Sequence, residues 1–430
     1  MRSRPRVLLL THRVPCPPDR GDRIRSHHLL GWLGDRADVT LACPTDEPLT
    51  DPQHQALAAM TKGVLVERDD RAARFRRLAV ARLRGRPLTP ANFYQPRLAE
   101  RLAELHRRDP FDSVVCFCTG MHGYVERLLE IDAPRPRLVL DMVDIDSAKW
   151  ARLADRPVGR SPIAAARRWV HGYEARRLGE LERNAARVYD AVSLVNRAEA
   201  EAYRRSAVPA DARYRLGKRF AEVIHATNGV DLDRYAPTPV PRGSRVVLFT
   251  GVLDYAPNIE GVEWFARRCL PTLRGDVPGA TFRVVGKRPS AAVRRLATLP
   301  GVEIVGEVPD TRPHLREAAI VVAPLRVAPG VQNKVLEAMA AARPVVATPQ
   351  AVSGIDAEPG RHLLAADHPT RFALLCAHLL NEPRQARQIA HAARRQVEVA
   401  HRWDAALRPL IDRIVGPTAP PMTPALRRAA

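Results

Sequence analysis

Residues 330 to 345 read Gly-Val-Gln-Asn-Lys-Val-Leu-Glu-Ala-Met-Ala-Ala-Ala-Arg-Pro-Val. A short apolar run at 320–323 has the composition of a buried strand, and Gly330 is expected to open the helix that follows, with Lys334 in its first turn. Val335, Leu336, Met339 and Ala340 then share one apolar face at helical spacing, while Lys334 and Glu337 share the other. A helix start entered through glycine suits an anion, because its N–H groups and dipole favour negative charge. A lysine there supplies a point charge for a phosphate, and a carboxylate one turn deeper accepts hydrogen bonds from sugar hydroxyls. The same residues also read as a plain Lys–Glu pair on a core-packing helix, worth about 0.2–0.5 kcal/mol. With the cation in the first turn, against the dipole, the pair is poorly placed as a stabiliser and well placed as a clamp for a diphosphate and a ribose.

Working outward, this helix belongs to a series of strands at 245–250, 281–285, 302–305, 320–323 and 344–347 with helices between them. A break carrying Pro237, Pro239 and Pro241 precedes it. An earlier series has strands at 7–11, 39–43, 63–67, 113–117, 138–142 and 191–195, with helices at 22–33, 95–107, 124–131, 161–187 and 199–205. Asn196 and Glu199 have the spacing of a capping box. Short apolar strands alternating with helices predict parallel sheets with right-handed crossovers. The fold class is therefore α/β, with two Rossmann-like parallel-sheet domains and a central cleft, where ligands meet the carboxyl ends of strands.

The 430 residues suffice for two full cores, and the 46% hydrophobic content is that of a globular chain. No apolar run reaches the ~20 residues of a membrane helix. The basic start followed by Val7-Leu8-Leu9-Leu10 is too short for a signal peptide, since His12 and Arg13 close the apolar run, and it reads as a buried first strand. Six scattered cysteines, Cys16, Cys43, Cys116, Cys118, Cys269 and Cys376, read as reduced core residues of a cytoplasmic protein. There is no P-loop, no G-x-G-x-x-G after a strand and no metal-ligand constellation, which argues against ATPases, classical dehydrogenases and zinc hydrolases.

The net charge of +21 comes from dispersed arginines without interleaved aromatic residues, so no nucleic acid partner is expected. The dense stretch is Arg71–Arg86, with Arg74, Arg76, Arg77, Arg82 and Arg84 interrupted by Phe75, Leu78, Val80 and Leu83. It reads either as a solvated surface helix or as a helix that docks on an anionic membrane surface.

His225-Ala-Thr-Asn228-Gly229-Val230-Asp231-Leu-Asp233-Arg-Tyr235-Ala-Pro237 resembles the interdomain junction of family 4 glycosyltransferases, which have the GT-B fold. Gly306-Glu-Val-Pro309-Asp310, Ala323-Pro324-Leu325-Arg326, Lys334…Glu337-Ala-Met-Ala and Pro344-Val-Val-Ala follow in that family's order. Four further segments are similar to the sugar transferases of PEP-CTERM/exosortase (XrtA) exopolysaccharide systems: the stretches from Pro17 to His27, Asp141 to Trp150, Thr250 to Asn258 and Gly330 to Lys334. The resemblance implies an acceptor-side domain over 1–228, a linker over 229–242 and a nucleotide-sugar domain over 243–395. It also implies a C-terminal helix at 396–416 that packs back on the first domain; the Pro- and Ala-rich tail at 417–430 is expected to be disordered.

The activity implied is retaining transfer of a sugar from a nucleotide-diphosphate donor to a glycan or polyprenyl-linked acceptor. By matching positions, Glu337 should bond the donor ribose, while Lys334, Asn333 and the Gly330 helix start hold the diphosphate. The backbone at Val308 should meet the base, Gly251 and Gly21 should allow close approach of the phosphates, and Asn258 and Arg288 should complete the donor site. Asp22 or Arg25 would face a sugar hydroxyl on the acceptor side; Gly21 also reads as a simple turn glycine. Asp141, Asp144 and Asp146 could suggest a metal site, but in this fold protein cations usually offset the diphosphate. No metal or cofactor is therefore expected, and these carboxylates are read as sugar contacts, with Asp144 a catalytic candidate.

Front-face attack, with the leaving phosphate as base, needs no protein nucleophile, so catalysis would rest on positioning and charge stabilisation. His122 is the best candidate for a side chain near the reacting centre, although a loop histidine of this kind is commonly structural. Two departures stand out: Pro329 occupies the position of a family glutamate, and Asp254-Tyr255-Ala-Pro257-Asn258 replaces the family's arginine–lysine pair. The alternatives are a GT-B nucleotide-sugar epimerase or phosphorylase, and a non-catalytic nucleotide-sugar-binding protein. The expected location is cytoplasmic, peripheral on the inner face of the plasma membrane.

Overall fold

Val7, Leu8, Leu9 and Leu10 are all fully buried, as are Val114, Val115 and Cys116, because each run lies in the middle of a sheet covered on both faces. The computed structural model describes residues 4–155, 161–208, 220–328 and 330–416. Strands β1 (Arg6–Leu10), β2 (Asp38–Thr45), β3 (Gly63–Arg68), β4 (Ser113–Phe117), β5 (Arg137–Val143), β6 (Ala191–Leu194) and β7 (Glu222–His225) form one sheet. Its order is β3-β2-β1-β4-β5-β6-β7. Strands β8 (Val246–Thr250), β9 (Thr281–Val285), β10 (Val302–Gly306), β11 (Ile320–Ala323), β12 (Val345–Ala347) and β13 (Leu364–Ala365) form the second, in the order β10-β9-β8-β11-β12-β13. Every pairing in both sheets is parallel. The order reverses between β1 and β4 in the first sheet and between β8 and β11 in the second, and ligands of such sheets gather at these switch points.

The chain divides into two units. One takes the chain up to Ala226 and resumes at Leu407, and the other is Thr227–Ala406. Thr227 and Asn228 therefore sit in the second unit, as do the helix Pro383–Ala400 and the first residues of the final helix, Trp403–Val415. The remainder of that helix completes the first unit. Leu407, Leu410, Ile411 and Ile414 are buried, the Ser113 hydroxyl donates to the Ile414 carbonyl at 2.7 Å, and Arg413 pairs with Glu222 on β7.

Three local expectations need correction. The helix of the opening stretch begins at Asn333, with Gln332 as its N-cap, and Gly330 lies ahead of it in the left-handed region at φ 67°. Gly330 turns the loop rather than starting the helix. Asn196 caps its helix by accepting from the Ala198 amide at 2.8 Å, but Glu199 bonds the Ile145 backbone instead of closing the box. Strands β7 and β13 join the sheets at their edges, one opening on an exposed glutamate and the other two residues long. The tail at 417–430 and Pro329 lie outside the described residues.

Candidate functional site

In the second unit the carboxyl end of β8 runs into Gly251, and the helix Asn333–Ala340 brings Lys334 to the same place. The buried positions Val335, Leu336, Ala338, Met339 and Ala340 fix that helix against the sheet. Lys334 Nζ lies 4.3 Å from the centre of the Phe249 ring and donates to Asn258 Oδ1 at 2.8 Å. Asn258, buried on the helix Ala256–Trp264, is itself oriented by donating from Nδ2 to the Val252 carbonyl at 2.9 Å. A Cβ on Gly251 would stand 3.0 Å from both Lys334 Nζ and Asn258 Nδ2, so the missing side chain is what admits the lysine head. Gly286, in the loop after β9, approaches still closer: a Cβ there would lie 1.6 Å from the Gly251 carbonyl oxygen. The loops after β8 and β9 are thus backbone against backbone.

Glu337 lies one turn deeper and is hydrogen-bonded by the Tyr235 hydroxyl, with Arg234 and Lys334 as neighbouring cations. Burial pulls the Lys334 ammonium down to about 7 and pushes the Glu337 carboxyl up to about 7. For each group, burial outweighs the opposite charge beside it. The side chain of the N-cap residue Gln332 does not cap the Asn333 helix. Asn333 Oδ1 accepts from Asn228 Nδ2 at 3.2 Å. The Asn228-Gly229-Val230 segment is in turn anchored on its own unit: the Val230 amide donates to the His401 carbonyl at 2.8 Å, and His401 Nδ1 donates to the Asn228 carbonyl at 2.9 Å.

Other donor-side candidates fall near this cluster in different ways. Arg288 follows Gly286, with φ 52°, and its exposed guanidinium makes a two-point pair with Asp254 at 2.6 and 3.1 Å. The acid in place of the family's cation pair is therefore matched by an arginine from the next loop. Val308 packs, half-buried, on the core of the second unit just beyond β10.

In the first unit, Gly21 is the exposed first residue of the helix Gly21–Gly34, and Asp22 is held by Arg20 at 2.9 Å, by His12 at 3.2 Å and by Arg13. Arg25 does not face a sugar. It is fully buried and clamps Asp141 at the end of β5 through two hydrogen bonds of 2.8 and 2.9 Å, tying the first helix to the sheet. The expectation for Arg25 fails because a helix position one turn past Asp22 points inward here. Asp141 is spent in that pair, and no group of three metal-ligand residues is assembled among the described residues.

Asp144 follows Val143, which has φ 70°, and its carboxyl is pushed up to about 6 by burial and by Asp146. Glu199 and Glu182, nearby, are each pushed up to about 7, burial again the main cause. His122 is not in a loop: it is the first residue of the helix His122–Leu129, buried, with Nδ1 3.0 Å from the Tyr189 hydroxyl and a pKa lowered by desolvation. Its surroundings are those of a core histidine.

Sequence reasoning missed two partners of the lysine and glutamate. Phe249 looks like any strand residue, and the sequence marks Tyr235 only as part of the junction motif.

Residues 244–382 match the family described as Glycosyl transferases group 1. Among solved structures, Anabaena HepE in complex with UDP superposes with a TM-score of 0.62 at 14% identity, covering 95% of this chain and 98% of its own. Sucrose-phosphate synthase of Thermosynechococcus elongatus gives 0.65 at 15% identity, with 95% and 98% covered. An α,α-trehalose-phosphate synthase (UDP-forming) of Burkholderia vietnamiensis gives 0.62 at 15% identity, with 96% and 97% covered. No curated protein matches the sequence significantly. The fold is that of GT-B glycosyltransferases, and the match to the Glycosyl transferases group 1 family falls within the second unit. Lys334, Glu337, Gly251, Asn258 and Gly286 all lie inside the matched residues 244–382.

Proposed function

We propose that the protein is a retaining glycosyltransferase that moves a sugar from a nucleotide-diphosphate donor, a uridine diphosphate sugar as in the ligands of HepE, to a lipid-linked glycan in exopolysaccharide synthesis. The observation that carries the reading is the placement of Lys334 over Gly251 at the carboxyl end of β8, with Glu337 one turn deeper on the same helix. Lys334 meets the diphosphate, the start of the Asn333 helix adds backbone donors, and Glu337 with Tyr235 takes the ribose hydroxyls. Desolvation supports the assignment, since an arriving diphosphate adds negative charge beside an ammonium that burial disfavours. Charge stabilisation on the departing diphosphate supplies most of the rate, and the phosphate oxygen takes the acceptor proton.

The exopolysaccharide assignment rests on the four motif segments, including Pro17–His27 and Asp141–Trp150. Peripheral docking at the inner face of the plasma membrane is supported by the helix Arg71–Leu83. There Phe75 and Leu83 are 72% and 85% exposed, and Arg71, Arg76, Arg82 and Arg84 are exposed beside them. Among the described residues no helix is long and apolar enough to cross a membrane.

The test is a screen of UDP- and GDP-sugars with membrane extract, run beside Lys334→Ala and Glu337→Ala. Loss of transfer in both variants is expected; full transfer in both sinks the donor-site assignment. Donor binding without any transfer would favour a non-catalytic binding protein. Vesicle co-sedimentation with Arg71, Arg76, Arg84 and Arg86 changed to Gln should fall strongly, and unchanged sedimentation removes the docking surface.

A further inference from the structure

Cys118 stands immediately after β4, at φ 67° and ψ 157°, before a short helical turn at Thr119–Met121. Its sulfur lies 3.4 Å from His12 Nδ1, and His12 Nε2 lies 3.2 Å from Asp22 Oδ2. The three residues come from the end of β4, the end of β1 and the first turn of the following helix, so they meet at the switch point of the first sheet. The His12 ring is held in one plane, stacked on Phe117 with 5.9 Å between centroids and edged by Phe93 at 5.2 Å. Asp22 is fixed in turn by Arg13 and Arg20. A thiol within reach of an imidazole that a carboxylate orients is the arrangement of an activated nucleophile.

We propose that Cys118, His12 and Asp22 form a reactive-thiol site that takes small electrophiles, with hydrogen peroxide as the oxidant it meets. The proposal is independent of the glycosyl-transfer reading.

The charges around His12 support an imidazolium. Burial opposes charge on the ring, but Cys118 and Asp22 together carry its pKa up to about 9. Asp146 also faces the ring, while Arg13 Nη1, 3.3 Å from His12 Nε2, acts in the opposite sense. With His12 protonated, Nδ1–H faces the sulfur and Nε2–H the carboxylate, so the ring stands ready to give a proton to a group leaving from the sulfur. In the reaction the thiolate attacks one peroxide oxygen, the O–O bond breaks, and Cys118 becomes a sulfenic acid. The departing hydroxide takes the His12 proton and leaves as water; sulfur is oxidised by two electrons and the peroxide reduced by two.

Cys118 is also set apart by access. Cys16, Cys43, Cys116, Cys269 and Cys376 are buried, whereas Cys118 is partly exposed. Burial raises the pKa of each of those five thiols.

The experiment follows iodoacetamide alkylation of the full chain near neutral pH by peptide mass spectrometry, and then dimedone capture after hydrogen peroxide. Cys118 should be labelled first in both, and His12→Gln should slow its alkylation by about tenfold or more, because the imidazole within reach of the sulfur is lost. Asp22→Asn should slow it in the same direction, and it carries the test if His12→Gln exposes the buried cysteines. Labelling of Cys118 at the rate of the buried thiols, or a rate unmoved by both substitutions, overturns the proposal.

Discussion

At the scale of single residues, Lys334 is the most consequential side chain. Its ammonium is pulled down to about 7 by burial, and a bound diphosphate would hold it charged. Binding above that pH must then take up a proton. Donor affinity should be full below about pH 7 and fall as the pH rises, by up to about tenfold per unit. Calorimetric titration of UDP in buffers of different ionisation heat measures the proton taken up; Lys334→Met should abolish that uptake. Gly286 makes a second prediction. Its missing Cβ would overlap the Gly251 carbonyl, so Gly286→Ala must separate the loops after β8 and β9. A loss of about 1–3 kcal/mol and a lower melting temperature are expected, together with weaker UDP binding. Lys334, Glu337, Gly251 and Asn258 were legible because helical spacing and motif order put them near one another. The Cys118–His12 contact was not, since 106 positions separate the two residues and only the strand order brings them together.

At the scale of elements, the buried pair between Arg25 and Asp141 joins the first helix to β5. Removing one partner leaves a bare buried charge. Arg25→Leu should therefore cost about 3–5 kcal/mol in denaturant unfolding, and Arg25→Leu with Asp141→Leu should recover much of it. The carboxylates beyond β5 add a pH dependence. Glu199 and Glu182 are raised to about 7, so each contributes stability that is complete below the ordinary carboxylate range and is lost as pH rises through about 7. Melting temperatures taken from about pH 5 to about pH 8 should fall less steeply in Glu199→Gln than in the parent.

Element boundaries were legible where strands are central and apolar. Strands β4, β9 and β11 fall where the composition puts them. Edge strands escaped because their pairing partner, rather than their own composition, makes them strands. Glu222–His225 is extended because β6 offers it a ladder. The Asn333 helix starts later than its glycine suggests for a related reason. A glycine before an apolar period marks a change of direction, and the loop uses three residues to complete it.

At the scale of the whole molecule, the two α/β units were legible from the alternation of strands and helices, but the path of the last helix is set by packing. Its residues Leu407, Leu410, Ile411 and Ile414 are buried in the first unit, while Trp403 lies against Gly229 in the second. Leu410→Ala should lower the stability of the first unit by about 2–5 kcal/mol, readable as a separate shift in its unfolding transition. A chain ending at residue 406 should lose solubility, because it leaves the apolar surface that this helix covers open to water.

That helix also sets a timetable for synthesis. The first unit is nearly all made by Ala226, yet its last segment, from Leu407, is translated only after the second unit is complete. At ordinary elongation rates the interval is on the order of ten seconds or more, long against helix formation and collapse. Throughout that time the part of the nascent first unit that buries Leu407, Leu410, Ile411 and Ile414 stays uncovered, so ribosome stalling within 227–406 should release a product that chaperones capture.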